Sequence, residues 1–421
     1  MAKYPIGFWN YETLGKGGGN VDEWAELGVT VTMTPQFNPA LSQKEDMIAL
    51  LDQAHEKGIQ CIIYDKRLAD WFPTSYNEER MRAAITAVTE DFGSHPAVVG
   101  YHLSDEPGVY GPEEVKGSIE VYKLMKEIAP HLKPFLNLHP WHMTDLSTSG
   151  LMDRPNMRYV DVLEEYAHLA HLDYFCYDCY SQMRPGDTGF NMYFRNLEMY
   201  REAGDRVGIP YWTTLLCTEH FNYHAPSRDE YRWQVNTAAA HGCKGLLWFY
   251  LYPSVEGSCP IDITGRKTEA FYHMAAVHKA FLDKCGDILL HSHLEAVYHV
   301  NRTYGGVQLF EDWMDPLCFS SATPWDKGLI LSRFRHEDGS LYYAMTNLSS
   351  TEQASLSMYF RCDENDYYPV ASTGEIAAAP AKGDGTRTGY LNSWRDTPAI
   401  CLGDWFLPGE MKMWKVVPKK K

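Results

Sequence analysis

The sequence predicts an α/β protein in which a (β/α)8 TIM barrel is followed by a smaller antiparallel β-sandwich. Three observations support this prediction. Eight short β-rich runs alternate with amphipathic segments over residues 1–290. From about residue 294 the alternation stops, and strand patterns separated by turns follow. The length of 421 residues exceeds what one hydrophobic core usually organises, so we expect a barrel at 1–290 and a sandwich at 291–421.

The predicted barrel strands are short runs rich in β-branched and aromatic residues. In chain order they lie at residues 4–11, 29–37, 59–67, 97–106, 133–141, 172–180, 209–219 and 244–252. Helix start signals lie between them, because Ser42 precedes Glu45 and Ser227 precedes Glu230 with the spacing of a capping box. A ninth helix is predicted at 268–285. Regular alternation of strand and helix is typical of a parallel sheet closed into a barrel.

The predicted sandwich is read from alternating apolar and polar residues. Its strand patterns lie at residues 294–300, 306–312, 328–335, 341–349, 354–360 and 410–417. Asp338-Gly339 between two of these runs is a strong hairpin signal. The second domain is therefore expected to contain strands alone.

Composition excludes several classes of function. The formal charge of −17 disfavours nucleic acid and anionic membranes as partners, because phosphates would be repelled over most of the surface. No apolar run is long enough to span a bilayer and no secretory signal is visible, so a cytoplasmic location is expected, with a secreted or periplasmic one as the alternative if the natural N-terminus is longer. No phosphate loop or dinucleotide fingerprint is present, and no cofactor is expected. A homo-oligomer is compatible with the sequence.

Candidate functional residues follow from the predicted barrel, since such barrels carry their reactive groups at the carboxyl ends of the strands. These positions are rich in acids and aromatic residues. They are Trp9, Asp65, Asp105, Glu106, His139, Trp141, Asp178, Tyr180, Glu219, Trp248 and Tyr250, with His102 lower on strand four.

The stretch "GYHLSDEPG" at residues 100–108 is the most informative, because an apolar strand ends there on Asp105 and Glu106. Two carboxylates facing each other across an aromatic pocket suit cleavage of a glycosidic bond: one protonates the leaving oxygen, and the other attacks the anomeric carbon or activates water. Strands four and seven lie on opposite sides of a barrel mouth. Glu106 and Glu219 are therefore the predicted pair, with Asp178 and Asp65 as alternatives for the second carboxylate.

These motifs resemble those of clan-A glycoside hydrolases. Asp105-Glu106-Pro107 is similar to the clan's Asn-Glu-Pro, whose glutamate is the acid/base, and Glu219 and Trp248 match its strand-seven and strand-eight positions. Residues 261–281 resemble the segment after strand eight in β-galactosidase-like members, and the sandwich resembles their C-terminal appendages. The resemblance implies hydrolysis of a neutral glycoside such as a β-galactoside.

Asp105 departs from the clan pattern, since the asparagine normally hydrogen-bonds the sugar 2-hydroxyl. An aspartate accepts hydrogen bonds only, so it would hold a hydroxyl or raise the pKa of Glu106 by charge repulsion. The other candidates are expected to contact the sugar. Trp9, Trp141 and Trp248 would stack on it, and His139 would bind a hydroxyl, whereas His102 either orients Glu106 or is a core histidine.

Other functions remain open at this stage. His139 and His142 form an H-x-x-H motif, and two such imidazoles can share a zinc ion. The protein would then be a metal-assisted hydrolase. A non-catalytic carbohydrate-binding protein on the same scaffold would use the same aromatic residues. A barrel lyase or isomerase would require a lysine or histidine base that the sequence does not place.

Overall fold

The computed structural model describes residues 3–69, 76–108, 112–142, 157–184, 186, 188–253, 259–312, 314–382 and 398–419. It contains a parallel eight-stranded barrel and two antiparallel sheets. The predicted fold class is confirmed, because each element of the barrel and most elements of the sandwich are present.

All eight predicted barrel strands form, although each is shorter than its apolar run. The strands are β1 (Ile6–Phe8), β2 (Val31–Met33), β3 (Gln60–Ile63), β4 (Val98–Asp105), β5 (Lys133–Asn137), β6 (Phe175–Asp178), β7 (Tyr211–Leu216) and β8 (Leu246–Phe249). They pair in parallel within β2-β3-β4-β5 and within β6-β7-β8-β1. Backbone bonds from Thr30 to Ile6 and from Leu138 to Cys176 join the two groups and close the barrel.

The helices follow the strands as the alternation predicts. They are α1 (Val21–Leu27), α2 (Lys44–Glu56), α3 (Lys66–Ala69), α4 (Glu78–Val88), α5 (Pro112–Ile128), α6 (Tyr159–Ala170), α7 (Thr188–Val207), α8 (Arg228–Ala240), α9 (Glu269–Phe281) and α10 (Asp287–Leu290). None of the described helices is both long and apolar enough to cross a membrane.

The two predicted capping boxes have different outcomes. At α8, Ser227 accepts from the backbone of Glu230, and the Glu230 side chain accepts from the backbone of Ser227, as predicted. At α2 the prediction is wrong. That helix begins at Lys44 after Gln43, and the Ser42 hydroxyl donates instead to the carbonyl of Leu14.

The second region is a β-sandwich. One sheet has the order β10-β13-β15, and the other has the order β14-β16-β12-β11-β9. The strands are β9 (Ser292–Val300), β10 (Cys318–Ser321), β11 (Leu329–His336), β12 (Leu341–Asn347), β13 (Ala354–Arg361), β14 (Asn365–Pro369), β15 (Ala399–Phe406) and β16 (Met411–Pro418). Alternate residues such as Leu329 and Leu331 of β11 fill its core together with Leu356 and Met358 of β13.

The sequence missed three of these strands, β10, β14 and β15. It also predicted a strand at 306–312, where the structure has only an isolated bridge between Leu309 and His299. The hairpin prediction is confirmed, since Gly339 turns the chain between β11 and β12 with a φ of 84°.

The chain divides into two compact units. One comprises Pro5–Pro226 and Cys243–Ala275, and the other comprises Ser227–Gly242 and Ala276–Lys421 with the N-terminal residues up to Tyr4. Helix α8 belongs to the second unit, where Trp233 donates its indole N–H to the carbonyl of Leu348 at 2.8 Å. The expected domain boundary at residue 290 stays a prediction.

Candidate active site

The pairing of β4 with β5 sets the geometry of the site. His102 lies opposite Phe135, and Asp105 lies opposite Asn137. Between these two pairs β4 advances by three residues, whereas β5 advances by only two. This irregularity reverses the alternation of side chains, and it brings Asp105 to the same face as His102. Regular alternation would place Glu106 rather than Asp105 on that face.

Glu106 follows immediately in a left-handed backbone conformation, with a φ of 43°. Its N–H donates to the carbonyl of Asn137 at 2.8 Å, which extends the β4–β5 pairing by one residue before Pro107 turns the chain away. A non-glycine residue in this conformation costs free energy and is held by its surroundings, a feature that is concentrated at functional sites.

Asp105, Glu106 and Asp178 meet as what we term the acid cluster. The Asn137 amide donates to Asp105 Oδ1 at 3.0 Å and to Asp178 Oδ1 at 2.8 Å. The carboxyl groups of Glu106 and Asp178 also interact with each other, and this interaction lowers the pKa of Glu106 and raises the pKa of Asp178. A hydrogen bond between two carboxyl groups requires a proton on one of them, because two carboxylates have no hydrogen to donate.

Burial raises the pKa of all three acids. Solvent reaches Asp105, yet protein surrounds it closely enough that desolvation and the charge of Asp178 raise its pKa to about 7. Desolvation and the charge of Asp105 raise the pKa of Glu106 to about 7. Desolvation and the charge of Glu106 raise the pKa of Asp178 well above its ordinary value. The acid cluster therefore holds protons at neutral pH, as a general acid requires.

Aromatic side chains surround the acid cluster. Tyr11 stacks on Trp9 with ring centroids 5.9 Å apart, and it approaches Phe249 at 5.9 Å. Tyr180 lies 5.3 Å from Phe249. The charges of Asp105, Glu106 and Asp178 all act on Tyr11 and Tyr180, which places both tyrosines beside the acid cluster. The mouth thus combines acids with apolar ring faces, the arrangement that the sequence predicts.

His139 lies on the β5 side of this mouth. It faces Asp178 closely enough to lower the pKa of that carboxyl, against the larger effect of burial. Its backbone carbonyl accepts hydrogen bonds from the hydroxyls of Tyr159 and Tyr200. Trp141 is half-buried, and its backbone is fixed by both ends of the Asn196 amide.

Glu219 lies three residues beyond β7 and is exposed. Its neighbour His220 packs against Phe249 with ring centroids 4.8 Å apart and lies 6.4 Å from Tyr180. Burial lowers the pKa of His220. The segment that carries Glu219 therefore borders the aromatic rings next to the acid cluster, and the catalytic role of Glu219 stays a prediction.

Asp65, the other alternative for the second carboxylate, is occupied by an ion pair. It is fully buried, and both of its carboxylate oxygens accept hydrogen bonds from the Arg67 guanidinium, at 2.9 and 2.7 Å. Arg67 also bonds Asp91 at 2.8 Å. A carboxylate held at both oxygens is suited to a structural role rather than to contact with a substrate.

The prediction that Trp248 stacks on a sugar requires correction. Trp248 is 0% exposed, whereas its strand neighbours Leu247 and Phe249 belong to the cluster inside the barrel. Because side chains alternate along a strand, Trp248 points away from the interior. The half-buried aromatic residue on the inner face is Phe249, one position further along.

Three other predicted contact residues lie deeper than expected. Trp9 and Tyr250 are 3% and 2% exposed, and the Trp9 indole N–H donates to Thr214 at 3.2 Å. His102 is packed among the rings of Trp9 and Tyr64, and desolvation lowers its pKa to about 4. As placed, these side chains form the floor of the mouth and offer little surface to a ligand.

His139 and His142 have ring centroids 4.9 Å apart. Within the part of the chain that the structure describes, no three His, Cys, Asp or Glu side chains are arranged to hold a metal ion. The described residues therefore do not support the metal-assisted alternative.

Sequence reasoning did not single out three residues of the site: Asn137, Tyr11 and Phe249. Asn137 is the last residue of β5, but the predicted strand continues to residue 141, so the prediction places the end of the strand at His139 and Trp141 instead. Tyr11 and Phe249 lie close in sequence to the predicted contact residues Trp9 and Trp248. Which of two neighbouring residues faces the site depends on strand register, which the sequence does not show.

A separate cavity of about 820 Å³ lies among the loop after β1, helix α2 and the loop after β8. Among the described residues, its lining includes Glu12, Asp46 and Asp262 and no member of the acid cluster. The candidate active site is therefore distinct from this cavity.

Comparison with solved structures identifies similar folds at low sequence identity. A glycoside hydrolase has a TM-score of 0.60 at 11% identity, with 98% of this chain and 92% of that chain covered. A family 5 glycoside hydrolase from Bacteroides vulgatus has a TM-score of 0.59 at 10% identity, with 98% and 89% covered. A family 39 glycoside hydrolase from Bacteroides cellulosilyticus has a TM-score of 0.56 at 11% identity, with 99% and 81% covered.

No family model matches the sequence, and no curated protein matches it. The structural similarities extend over nearly the whole chain, so they concern the barrel and the sandwich together. At such low identity they establish the fold: a TIM barrel followed by a β-sandwich.

Proposed function

We propose that this protein is a glycoside hydrolase in which Glu106 is the general acid. The observation that carries the proposal is the acid cluster, in which burial and neighbouring charge raise the pKa of Glu106 to about 7. A glutamic acid that keeps its proton near neutral pH can protonate the leaving oxygen of a glycosidic bond. The similar folds of three glycoside hydrolases support the proposal.

Glu219 is the proposed second carboxylate. Asp178 interacts directly with Glu106 through a hydrogen bond, whereas the two carboxyl groups of a glycosidase flank the sugar and stand about 5 Å or more apart. Asp65 is bound at both oxygens by Arg67. Glu219 is exposed on a segment bordering the aromatic rings of the mouth, so it can approach the sugar from the side opposite Glu106.

The proposed substrate is a neutral glycoside, and β-galactosides are the first candidates to test. A uronic acid or a phosphorylated sugar would bring negative charge beside the acid cluster, where burial already disfavours charged groups. Faces of Tyr11 and Phe249 suit the apolar side of a sugar ring. The resemblance of residues 261–281 to β-galactosidase-like proteins supplies the choice of sugar.

The test is hydrolysis of a panel of neutral aryl glycosides and oligosaccharides by the wild type and Glu106→Gln. We expect kcat to fall about 10²- to 10⁴-fold, because the amide cannot donate the proton. The loss should be smallest for aryl leaving groups of low pKa, which need no protonation. Glu12→Gln, which alters a glutamate on the separate cavity, is the matched control.

Unchanged turnover by Glu106→Gln would exclude Glu106 as the general acid. Saccharide binding without turnover by the wild type would favour the carbohydrate-binding alternative. Loss of activity on treatment with a chelator would favour metal assistance at His139 and His142.

A further inference from the structure

Asn137 lies where the acid cluster is held together. Its amide nitrogen carries two hydrogens, one directed at Asp105 Oδ1 and the other at Asp178 Oδ1, at 3.0 and 2.8 Å. The side chain is 1% exposed, so these hydrogen bonds are shielded from competing water. We propose that Asn137 is a positioning residue that biases the proton of the acid cluster toward Glu106, and this rests on the proposed role of Glu106.

The orientation of the amide follows from its neighbours. The Asn137 oxygen accepts from the thiol of Cys176 at 3.7 Å, so that end of the amide faces a donor. The opposite orientation would point a carbonyl oxygen at Asp105 and Asp178, which are both acceptors when ionised. Pairing of β4 with β5 places Asn137 directly opposite Asp105, so the contact is built into the barrel.

Two donated hydrogen bonds stabilise the charged forms of Asp105 and Asp178, and they lower the pKa of each against the larger effect of burial. Glu106 receives no bond from this amide, and the negative charge kept on Asp105 raises its pKa. Asn137 therefore moves the proton shared by Glu106 and Asp178 toward Glu106, where the proposed reaction uses it.

Several other titratable groups face the acid cluster from the surrounding elements. They are Tyr11, Tyr64, His139, Tyr159, Cys176, Cys179, Tyr180, Tyr200 and Tyr223. Burial raises the pKa of every tyrosine and cysteine in this group, so these residues stay neutral through the neutral range. Histidines ionise near neutrality in general, and His139→Gln therefore serves as a second background for each measurement below.

The test compares Asn137→Ala with Asn196→Ala, which removes another buried, hydrogen-bonded asparagine that fixes the Trp141 backbone and does not touch the acid cluster. In Asn137→Ala both aspartates take up protons more readily. The charge of Asp105 then no longer raises the pKa of Glu106, and the alkaline limb of kcat/KM moves to lower pH. We expect a shift of about one pH unit. Asn196→Ala should lower kcat/KM at every pH without moving the alkaline limb.

A second measurement needs no substrate. The folded-state pKa of Asp105 is raised to about 7, and that of Asp178 is raised well above its ordinary value. The folded protein therefore binds more protons than the unfolded chain above about pH 4, and stability falls as pH rises through the folded-state pKa values. Loss of Asn137 raises both pKa values further. Asn137→Ala should therefore be more destabilising at pH 8 than at pH 5. Asn196→Ala should lower the free energy of unfolding by the same amount at both pH values.

The two measurements separate the proposals. Equal destabilisation by Asn137→Ala at pH 5 and pH 8 would overturn the role of Asn137 whether or not a substrate is known. If Glu106→Gln keeps full activity, the proposed function fails, and the stability series still decides the role of Asn137. Asn137→Ser, which keeps one donor, should give an intermediate pH dependence and replaces the alanine variant if that variant does not fold.

Discussion

The two sides of the barrel mouth present different chemistry. At the ends of β4, β5 and β6, Asp105, Glu106, Asn137 and Asp178 form a connected network in which burial raises the pKa of each acid. At the ends of β7 and β8, Glu219 is exposed and its surroundings are aromatic.

This difference matches the two tasks of a glycosidase. A proton donor works best when its surroundings disfavour the carboxylate, whereas a group that attacks the anomeric carbon must be ionised. Burial supplies the first condition at Glu106, whereas Glu219 lies exposed on the other side of the mouth. The following predictions test this division, beginning with the largest effect.

Glu219→Ala should abolish turnover, with a loss on the order of 10³-fold or more in kcat, because no carboxylate would remain to attack the anomeric carbon or activate water. Added azide should restore turnover by occupying the vacated space and reacting in its place. The measurement is kcat with product analysis for a glycosyl azide.

Asp178→Ala is the comparison variant. If azide restores turnover in Asp178→Ala while Glu219→Ala stays active, the second carboxylate is Asp178 on β6. The proposed assignment of the proton donor and the second carboxylate to opposite sides of the mouth would then be wrong.

Phe249→Ala and Trp248→Ala separate the inner and outer faces of β8. Phe249→Ala should raise KM about tenfold, since loss of an apolar contact face costs about 1.5 kcal/mol, and it should destabilise the fold less than Trp248→Ala because Phe249 is only half-buried. Trp248→Ala should instead lower the free energy of unfolding by about 3 to 5 kcal/mol and leave KM unchanged, because its side chain is fully buried. Steady-state kinetics and denaturant unfolding of both variants test this assignment, and a higher KM for Trp248→Ala alone would reverse it.

Most of the barrel could be predicted from the sequence because its signals are local. Each strand is an apolar run, each helix has its own period, and parallel pairing follows from their alternation. The strands β10, β14 and β15 were missed because their alternation is weak, as in β15, where Gly403, Asp404 and Trp405 are consecutive exposed positions.

The site was less predictable because it depends on register. Strand ends identified Glu106, Asp105 and Asp178, but no local pattern marks the irregular pairing that turns Asp105 inward. The same limitation explains Trp248, where a shift of one residue separates the outer face from the inner one. Contacts such as the amide of Asn137 between two acids come from strands far apart in the chain.

Asp105→Asn gives the smallest expected effect. Its charge is the second cause, after burial, that raises the pKa of Glu106. An asparagine keeps an oxygen to accept from Asn137 but carries no charge, so the pKa of Glu106 should fall and the alkaline limb of kcat/KM should move to lower pH, by on the order of one unit. Asp173→Asn, at a partly buried acid paired with Lys126, should leave the limb in place.

The stability of the same variant should change in a defined direction. The folded-state pKa of Asp105 is about 7, above its unfolded value, so its ionisation opposes folding and stability declines as pH rises from about 4 to 7. Asp105→Asn removes this contribution and should gain stability relative to the wild type across that window. If Asp105→Asn gains stability but the alkaline limb of kcat/KM does not move, burial alone keeps the proton on Glu106. The charge of Asp105 would then act in binding the substrate instead.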